Sequence, residues 1–321
     1  MDRKILAAIL VATILVSFAV YDYYISATEP KGTITVSGAF ALYPMMVKWA
    51  GEFQKIHAKV RIDVTAGGAG KGMTDVLSEL VDIAMVSRQI YPAEVDRGAF
   101  GLAVARDAVV ATISKDNPVL NEISAKGVNR RILAGIYIYG NITTWGQVVG
   151  RPEITDRINV YTRSDSAGAA DVWASYLGAG YTQQDLQGIG VFGDPGLADA
   201  VKSDHLGIGF NNINYAYDNK TGEPVEGIVV VPLDLNENGR LDENEDFYKT
   251  RAEIIEAIAS ELYPSPPARE LYLVTLGKPS GLAKEFLKWI LEDGQKYCSE
   301  TGYLPLSDAR SAQELAKLEE G

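Results

Sequence analysis

Arg163, Ser164, Asp165 and Ser166, followed by Ala167, Gly168, Ala169 and Ala170, form the stretch with the densest binding chemistry in this chain. The apolar run 158–161 before it reads as a strand, and residues 171–177 read as a helix. A strand, a small polar turn and a helix start leave several backbone N–H groups free in one place, with the helix dipole aligned to them. Such a turn favours an anion, and the Arg163 guanidinium adds a planar, permanently charged fork two residues before Asp165. An ordinary N-capped turn has the same outline, so the rest of the chain must separate the two.

Residues 234–245 carry a different chemistry. Asp234, Asn236, Asn238 and Asp242 put oxygen side chains at positions one, three, five and nine of a twelve-residue calcium loop. Gly239 sits at six, where the turn is sharpest, and Glu245 at twelve, where a carboxylate can bind bidentately. Arg240 at seven offers its backbone carbonyl, and Leu241 at eight is the apolar anchor. Residues 228–232 read as a strand, so the loop keeps only its exiting helix. The expectation is a structural Ca2+ that fixes a surface insertion; the alternative is a solvated acidic turn.

The elements that position these groups follow a repeated pattern. Thr33, Ile34, Thr35 and Val36 read as a strand ending in Ser37, Gly38, Ala39, Phe40 and Ala41. Residues 60–64 read as a second, ending in a glycine-rich loop that contains Ala69, Gly70 and Lys71. Residues 81–86 read as a third, ending in Ser87 and Arg88. Open α/β sheets place such loops at their ligand-binding edge. The glycine-rich loop lacks the spacing and the hydroxyl residue of a Walker motif, and no dinucleotide fingerprint is present. It is either a packing turn or a backbone nest for a small anion, and the nest is favoured because a helix follows. Met45, Trp49 and Phe53 mark an amphipathic helix opened by Pro44. Residues 104–114, interrupted by Arg106 and Asp107, and residues 263–275 read as two crossings between lobes. Leu282, Phe286, Ile290 and Leu291 predict one amphipathic helix over 281–299.

Composition narrows the function. The chain has 321 residues, 47% of them hydrophobic, and a net charge of −12. That charge argues against nucleic acid, because counterion release needs clustered Lys and Arg. Cys298 is the sole cysteine and His57 and His205 the only histidines, so a disulfide, a thiolate metal cluster and a His-rich metal centre are all disfavoured. Asp2, Arg3 and Lys4 precede an uncharged apolar run over residues 5–20, followed by Tyr21, Tyr23 and Tyr24. The run falls short of the ~20 residues that span a bilayer, although the tyrosines suit the far interface. It predicts an uncleaved signal anchor, with a removed signal peptide as the alternative.

Taken in order, several motifs resemble the phosphate-binding solute receptors, the PstS-like members of the type II periplasmic binding protein fold. They are Ser37 to Pro44 with Lys48, Trp49 and Ala50; the loop 67–72; Val81 to Arg88; and Gly140 to Trp145. Arg163 to Gly168, Gly207 to Phe210, and Gly302 to Pro305 complete the set, which covers nearly all of residues 32–308. The resemblance implies two α/β lobes joined by a two-strand hinge, with a tetrahedral oxyanion in the cleft between them. Its expected boundaries are a signal anchor and linker at 1–30, lobe 1 at 31–111 plus 263–321, and lobe 2 at 112–262 with the calcium-loop insertion. Arg163 and Asp165 stand where the family has an arginine and an aspartate, Gly168 where it has a backbone donor, and Ser87 and Arg88 at its serine-or-aspartate loop.

The departures are at hydroxyls. Phe40, Ala69, Ala167 and Ala169 stand where the family usually has Thr or Ser. Each hydroxyl bond to a charged ligand is worth ~1.5–3 kcal/mol, so compensation is expected from Lys71, Arg88 and Arg163, with Ser37, Ser164 and Ser166 as substitute hydroxyls. The implied function is an extracytoplasmic, membrane-anchored, monomeric receptor that passes phosphate to an ABC transporter permease. Another oxyanion, a small carboxylate or a phosphorylated metabolite is the alternative ligand. A sensory or adhesive protein is the alternative role. An exported phosphatase ranks last, since Ser166 and Asp165 have no histidine nearby in sequence.

Overall fold

The computed structural model describes residues 30–320. Nine strands form one sheet in the order β2-β1-β3-β9-β4-β7-β5-β6, with β8 beside β4. In chain order they are β1 (Gly32–Gly38), β2 (Val60–Ala66), β3 (Ile83–Val86) and β4 (Ala99–Ser114). They continue with β5 (Asn159–Arg163), β6 (Ile189–Val191), β7 (Gly207–Asn212), β8 (Ile228–Val230) and β9 (Ala268–Leu276). Strands β1, β2 and β3 are parallel, as are β5, β6 and β7. The two parallel sets are joined by the antiparallel pair β4 and β9.

Two apolar cores lie on either side of that pair. One gathers Trp49, Phe53, Phe286 and Ile290 with Leu102 to Ala105 of β4 and Leu271, Leu273 and Val274 of β9. The other gathers Trp145, Trp173 and Phe210 with Ala108 to Ala111 of β4 and Ala268 of β9. Each fully buried aromatic or aliphatic side chain contributes roughly 1.5–3 kcal/mol, so each core holds its own set of helices. Between the cores the crossing strands carry Arg106 and Asp107 on β4, facing Glu270 and Arg269 on β9.

The helices follow their sequence signals in part: the loop 234–245 has no exiting helix, the next one being Arg251–Ala259, and a helix Asp308–Glu319 follows the tail segment read as helical. Helix Tyr43–Ile56 starts at a proline and buries Met45, Met46, Trp49, Ala50 and Phe53. The helix expected over 281–299 ends as Gly281–Leu291 and gives way to the 3-10 turn Asp293–Tyr297. Trp49 Nε1 donates to the Gly294 carbonyl at 2.8 Å, and Gln295 Nε2 donates to Val104 O and Ile290 O. These tertiary bonds redirect the chain although its apolar period continues. Among the described residues no helix is long and apolar enough to cross a membrane. The expected anchor over residues 5–20 lies outside the described residues.

Candidate functional site

Four loops from the two lobes meet at one small space of about 150 Å³. From the first lobe come Ala39, Phe40 and Ala41 after β1, Gly68 and Ala69 after β2, and Ser87 after β3. From the second come Arg163, Ala167, Gly168 and Ala169 after β5, with Asp194 and Asn212.

Local backbone rules explain the approach. Gly38 has φ +140°, and a Cβ there would stand 2.9 Å from the Met85 nitrogen, so glycine lets β1 turn against β3. Its carbonyl accepts from Gly67 N at 2.9 Å and Gly68 N at 3.0 Å, which fixes the glycine-rich loop. Ala69 and Gly168 open the helices Ala69–Leu77 and Gly168–Leu177, so the N–H groups of Ala69, Gly168 and Ala169 have no intrahelical acceptor. A side chain at Gly168 would collide with the Ser87 carbonyl across the cleft. Other donors are already taken. Ala39 N–H donates to Met85 O at 2.8 Å, Gly70 N–H to Ser166 O at 3.1 Å, and Ala167 N–H to Gln183 Oε1 at 2.9 Å.

Arg163 is the cation of this wall, with its side chain 1% exposed. Its Nε and Nη2 donate to the two Asp165 oxygens at 2.9 and 2.6 Å, and its Nη1 to Asp194 Oδ2 at 2.6 Å. Those bonds use three of five guanidinium N–H donors and leave two. Burial pulls its pKa down, but Asp194 and Asp165 outweigh it and hold the guanidinium above its ordinary range. Phe40 packs its ring 5.6 Å from the guanidinium carbon and meets Phe192 edge-on at 5.8 Å. Asp165 Oδ1 also accepts from Gly193 N–H at 3.0 Å and its Oδ2 lies beside Gly68 of the lining, so this carboxylate is engaged by Arg163 while Asp165 does not itself line the space. One buried cation between two carboxylates supplies no net positive charge, so a bound anion depends on N–H dipoles and the two spare guanidinium donors.

The expected help from Lys71 and Arg88 is corrected by the geometry. Lys71 bonds Asp75 one helical turn on, and its Nζ lies 3.3 Å from Ser37 Oγ. Ser37 Oγ donates to the same Asp75 carboxylate at 2.7 Å, so neither side chain reaches the cleft. Burial pushes the Asp75 carboxyl up, and Lys71 and Ser37 more than reverse that, leaving its pKa below the usual range. Arg88 forks onto Glu94 at 2.9 and 2.7 Å and stacks 4.0 Å over the Tyr91 ring. Its Nε lies 3.5 Å from Asp171, across the cleft in the second lobe. Tyr91 Oη donates to that carboxylate at 2.9 Å; burial first, then Asp171, pushes the Tyr91 hydroxyl up to about 12. Gly70, Lys71, Arg88 and Ser166 line an outer depression together. Ser87 is the hydroxyl residue of the inner lining.

Sequence reading missed Asp194 and Asn212, which line the space and are each 1% exposed. Asp194 stands just before Pro195 in the first turn of the helix Gly193–Ser203, where an acidic residue reads as ordinary helix-start chemistry. The signal for Asn212 was an Asn pair closing an apolar strand, where buried amides need partners.

In the loop 234–245, Asp234 and Glu245 are 3% and 2% exposed. Asp234 accepts from Asn238 N and Gly239 N, and Glu245 accepts from Leu235 N, Asn236 N and Asp242 N. Asp242 accepts from the Asn236 and Asn238 amides at 2.9 and 2.7 Å. Glu237 at φ 59° and Gly239 at φ 80° wind the loop. Among the described residues no three His, Cys, Asp or Glu side chains gather as a metal cluster.

A family model described as "PBP superfamily domain" matches residues 26–293. The phosphate-binding protein PstS of Methanocaldococcus jannaschii is 25% identical, over 84% of this chain and 82% of that protein. The PstS of Bacillus subtilis is 26% identical, over 88% and 83%. The structure of a putative phosphate ABC transporter substrate-binding protein with bound phosphate, from Clostridium perfringens, superposes with a TM-score of 0.69. It is 20% identical and covers 86% of this chain and 100% of its own, a likeness of fold. A phosphate transport receptor from Vibrio cholerae gives a TM-score of 0.62 at 22% identity, over 86% and 100%. Two parallel lobes, two crossing strands and four loops converging between them agree with that match, and the chain belongs to the PBP superfamily.

Proposed function

We propose that this chain is a phosphate receptor that captures the anion between its lobes and delivers it to an ABC transporter permease. The observation that carries this reading is the convergence of helix-opening N–H groups from both lobes, with Arg163, on a space of about 150 Å³. Relatives at 25 and 26% identity carry the name phosphate-binding protein PstS, which makes phosphate the leading anion. It acts by binding, without turnover, as a monomer outside the cytoplasm, held at the membrane by residues 5–20. The two cores act as the lobes, opening about Arg106 and Asp107 on one strand and Arg269 and Glu270 on the other.

The alanines support a second ligand reading. Ala69, Ala167 and Ala169 present methyl groups, and Phe40 a ring, where hydroxyls would select by hydrogen bonding, which favours a cleft open to molybdate, tungstate or sulfate. Titration calorimetry with phosphate, sulfate, molybdate and tungstate at physiological pH separates the two. Saturable heat with phosphate is expected, and silence with phosphate beside heat from another oxyanion overturns the choice of ligand.

We also propose that the loop 234–245 holds a structural Ca2+. The donors fit a hard cation: carboxylates of Asp234, Asp242 and Glu245, amide oxygens of Asn236 and Asn238, and the Arg240 carbonyl. Both Asp234 oxygens and Glu245 Oε2 accept one loop N–H each and keep a second lone pair for a metal, whereas Glu245 Oε1 and Asp242 Oδ2 already accept two. The ion would offset part of the loop's negative charge and pin it to the second lobe.

A further inference from the structure

A buried polar chain runs from the cleft to the crossing strands. Asp194, which takes Arg163 Nη1 on one oxygen, takes Asn212 Nδ2 on the other at 2.5 Å. Asn212 Oδ1 accepts from Arg269 Nη2, and Arg269 Nε donates to Asp107 Oδ1 at 2.8 Å. Asp107 and Arg269 are directly opposed in the β4–β9 register, at the break between the two cores. Every member is at most 8% exposed. The Asn212 amide has a carboxylate on one side and a guanidinium on the other, so only one orientation satisfies both. The Arg269–Asp107 pair has no need of that link for its own neutrality. Arg269 Nη1 has no partner although it is buried, so the hinge end carries a spare donor while another bond of the same group reaches toward the cleft.

We infer that Asn212 is a positioning residue that couples anion occupancy at Arg163 to the geometry of the hinge strands through Asp194 and Arg269. This rests on the receptor reading above. An anion on the spare Arg163 donors holds Arg163 against Asp194. Asp194 fixes the Asn212 amide, and the amide fixes Arg269 where the strands leave the second lobe. Apolar substitution at Asn212 cuts the chain without removing a charge from the cleft. A swap, Asp194→Asn with Asn212→Asp, rebuilds it: the amide at 194 accepts from Arg163 and donates to the carboxylate at 212, which accepts from Arg269.

The test compares wild type, Asn212→Leu and the double swap by phosphate binding kinetics and by amide hydrogen exchange without ligand, after circular dichroism has checked folding. Asn212→Leu is expected to weaken phosphate binding by about tenfold through faster release, with association unchanged. Exchange at residues 104–109, 268–271 and 163–168 is expected to quicken by about tenfold while both cores stay protected, and the swap reverses both effects. A change confined to residues 207–213, or a swap that restores neither quantity, overturns the inference. If wild type does not bind inorganic phosphate, the ligand assignment fails on its own, and the ligand-free exchange still decides whether Asn212 ties residues 163–168 to the hinge strands.

Discussion

At the scale of single residues, the cleft hangs on Arg163. Removing it entirely would strand two buried carboxylates, which typically costs about 3–5 kcal/mol and confuses binding with folding. Arg163→Lys keeps the charge and loses the planar fork with its two spare donors. Phosphate affinity is expected to fall by about tenfold to a hundredfold, the loss of one or two charge-assisted bonds, with the circular dichroism spectrum retained. Calorimetry checks the first and thermal melting the second. Sequence alone singled out Arg163, because a strand, a basic residue and a helix start leave few other arrangements. It misread Lys71 and Arg88, since a cation beside a loop says nothing about which way its side chain turns. The answers lay in Asp75, one helical turn from Lys71, and in Glu94, which captures Arg88 with a bidentate fork.

At the scale of elements, the lobes touch directly. Tyr91 Oη and Arg88 reach Asp171, Gly70 N–H reaches Ser166 O, and Tyr215 Oη donates to Phe40 O at 3.1 Å. The Tyr91 hydroxyl touches no part of the inner lining, so its contribution is to closure alone. Tyr91→Phe removes one interlobe bond worth about 1 kcal/mol, which predicts roughly fivefold weaker phosphate binding. The ranking of phosphate, sulfate, molybdate and tungstate should not change, and competition titrations measure it. Strand positions were legible because short apolar runs ended in small-residue loops. The division of the helix expected over 281–299 was not, because Trp49 and Gln295 impose it through contacts with distant parts of the chain.

At the scale of the whole molecule, two cores share one sheet through two crossing strands whose four charged residues mark where apolar packing stops. Arg106 and Asp107 stood out in the sequence as an interruption in an apolar strand, while their partners Glu270 and Arg269 did not. The loop 234–245 is the other large-scale feature, and its oxygen spacing was complete in the sequence. Calcium at about a hundred times its dissociation constant should stabilise the wild type by about 2.7 kcal/mol. Asp234→Ala with Glu245→Ala should abolish that calcium-dependent shift in melting temperature. Equal insensitivity to calcium and chelator in both proteins would remove the ion from the account.

The most direct check on the central claim is a crystal structure grown with inorganic phosphate. The account predicts one anion between the lobes, with oxygens about 2.7–3.2 Å from the N–H groups of Ala69, Gly168 and Ala169 and from the Arg163 guanidinium. Phosphate seated only in the outer depression against Lys71 and Arg88, or a cleft that stays free of it at saturating concentration, would contradict it.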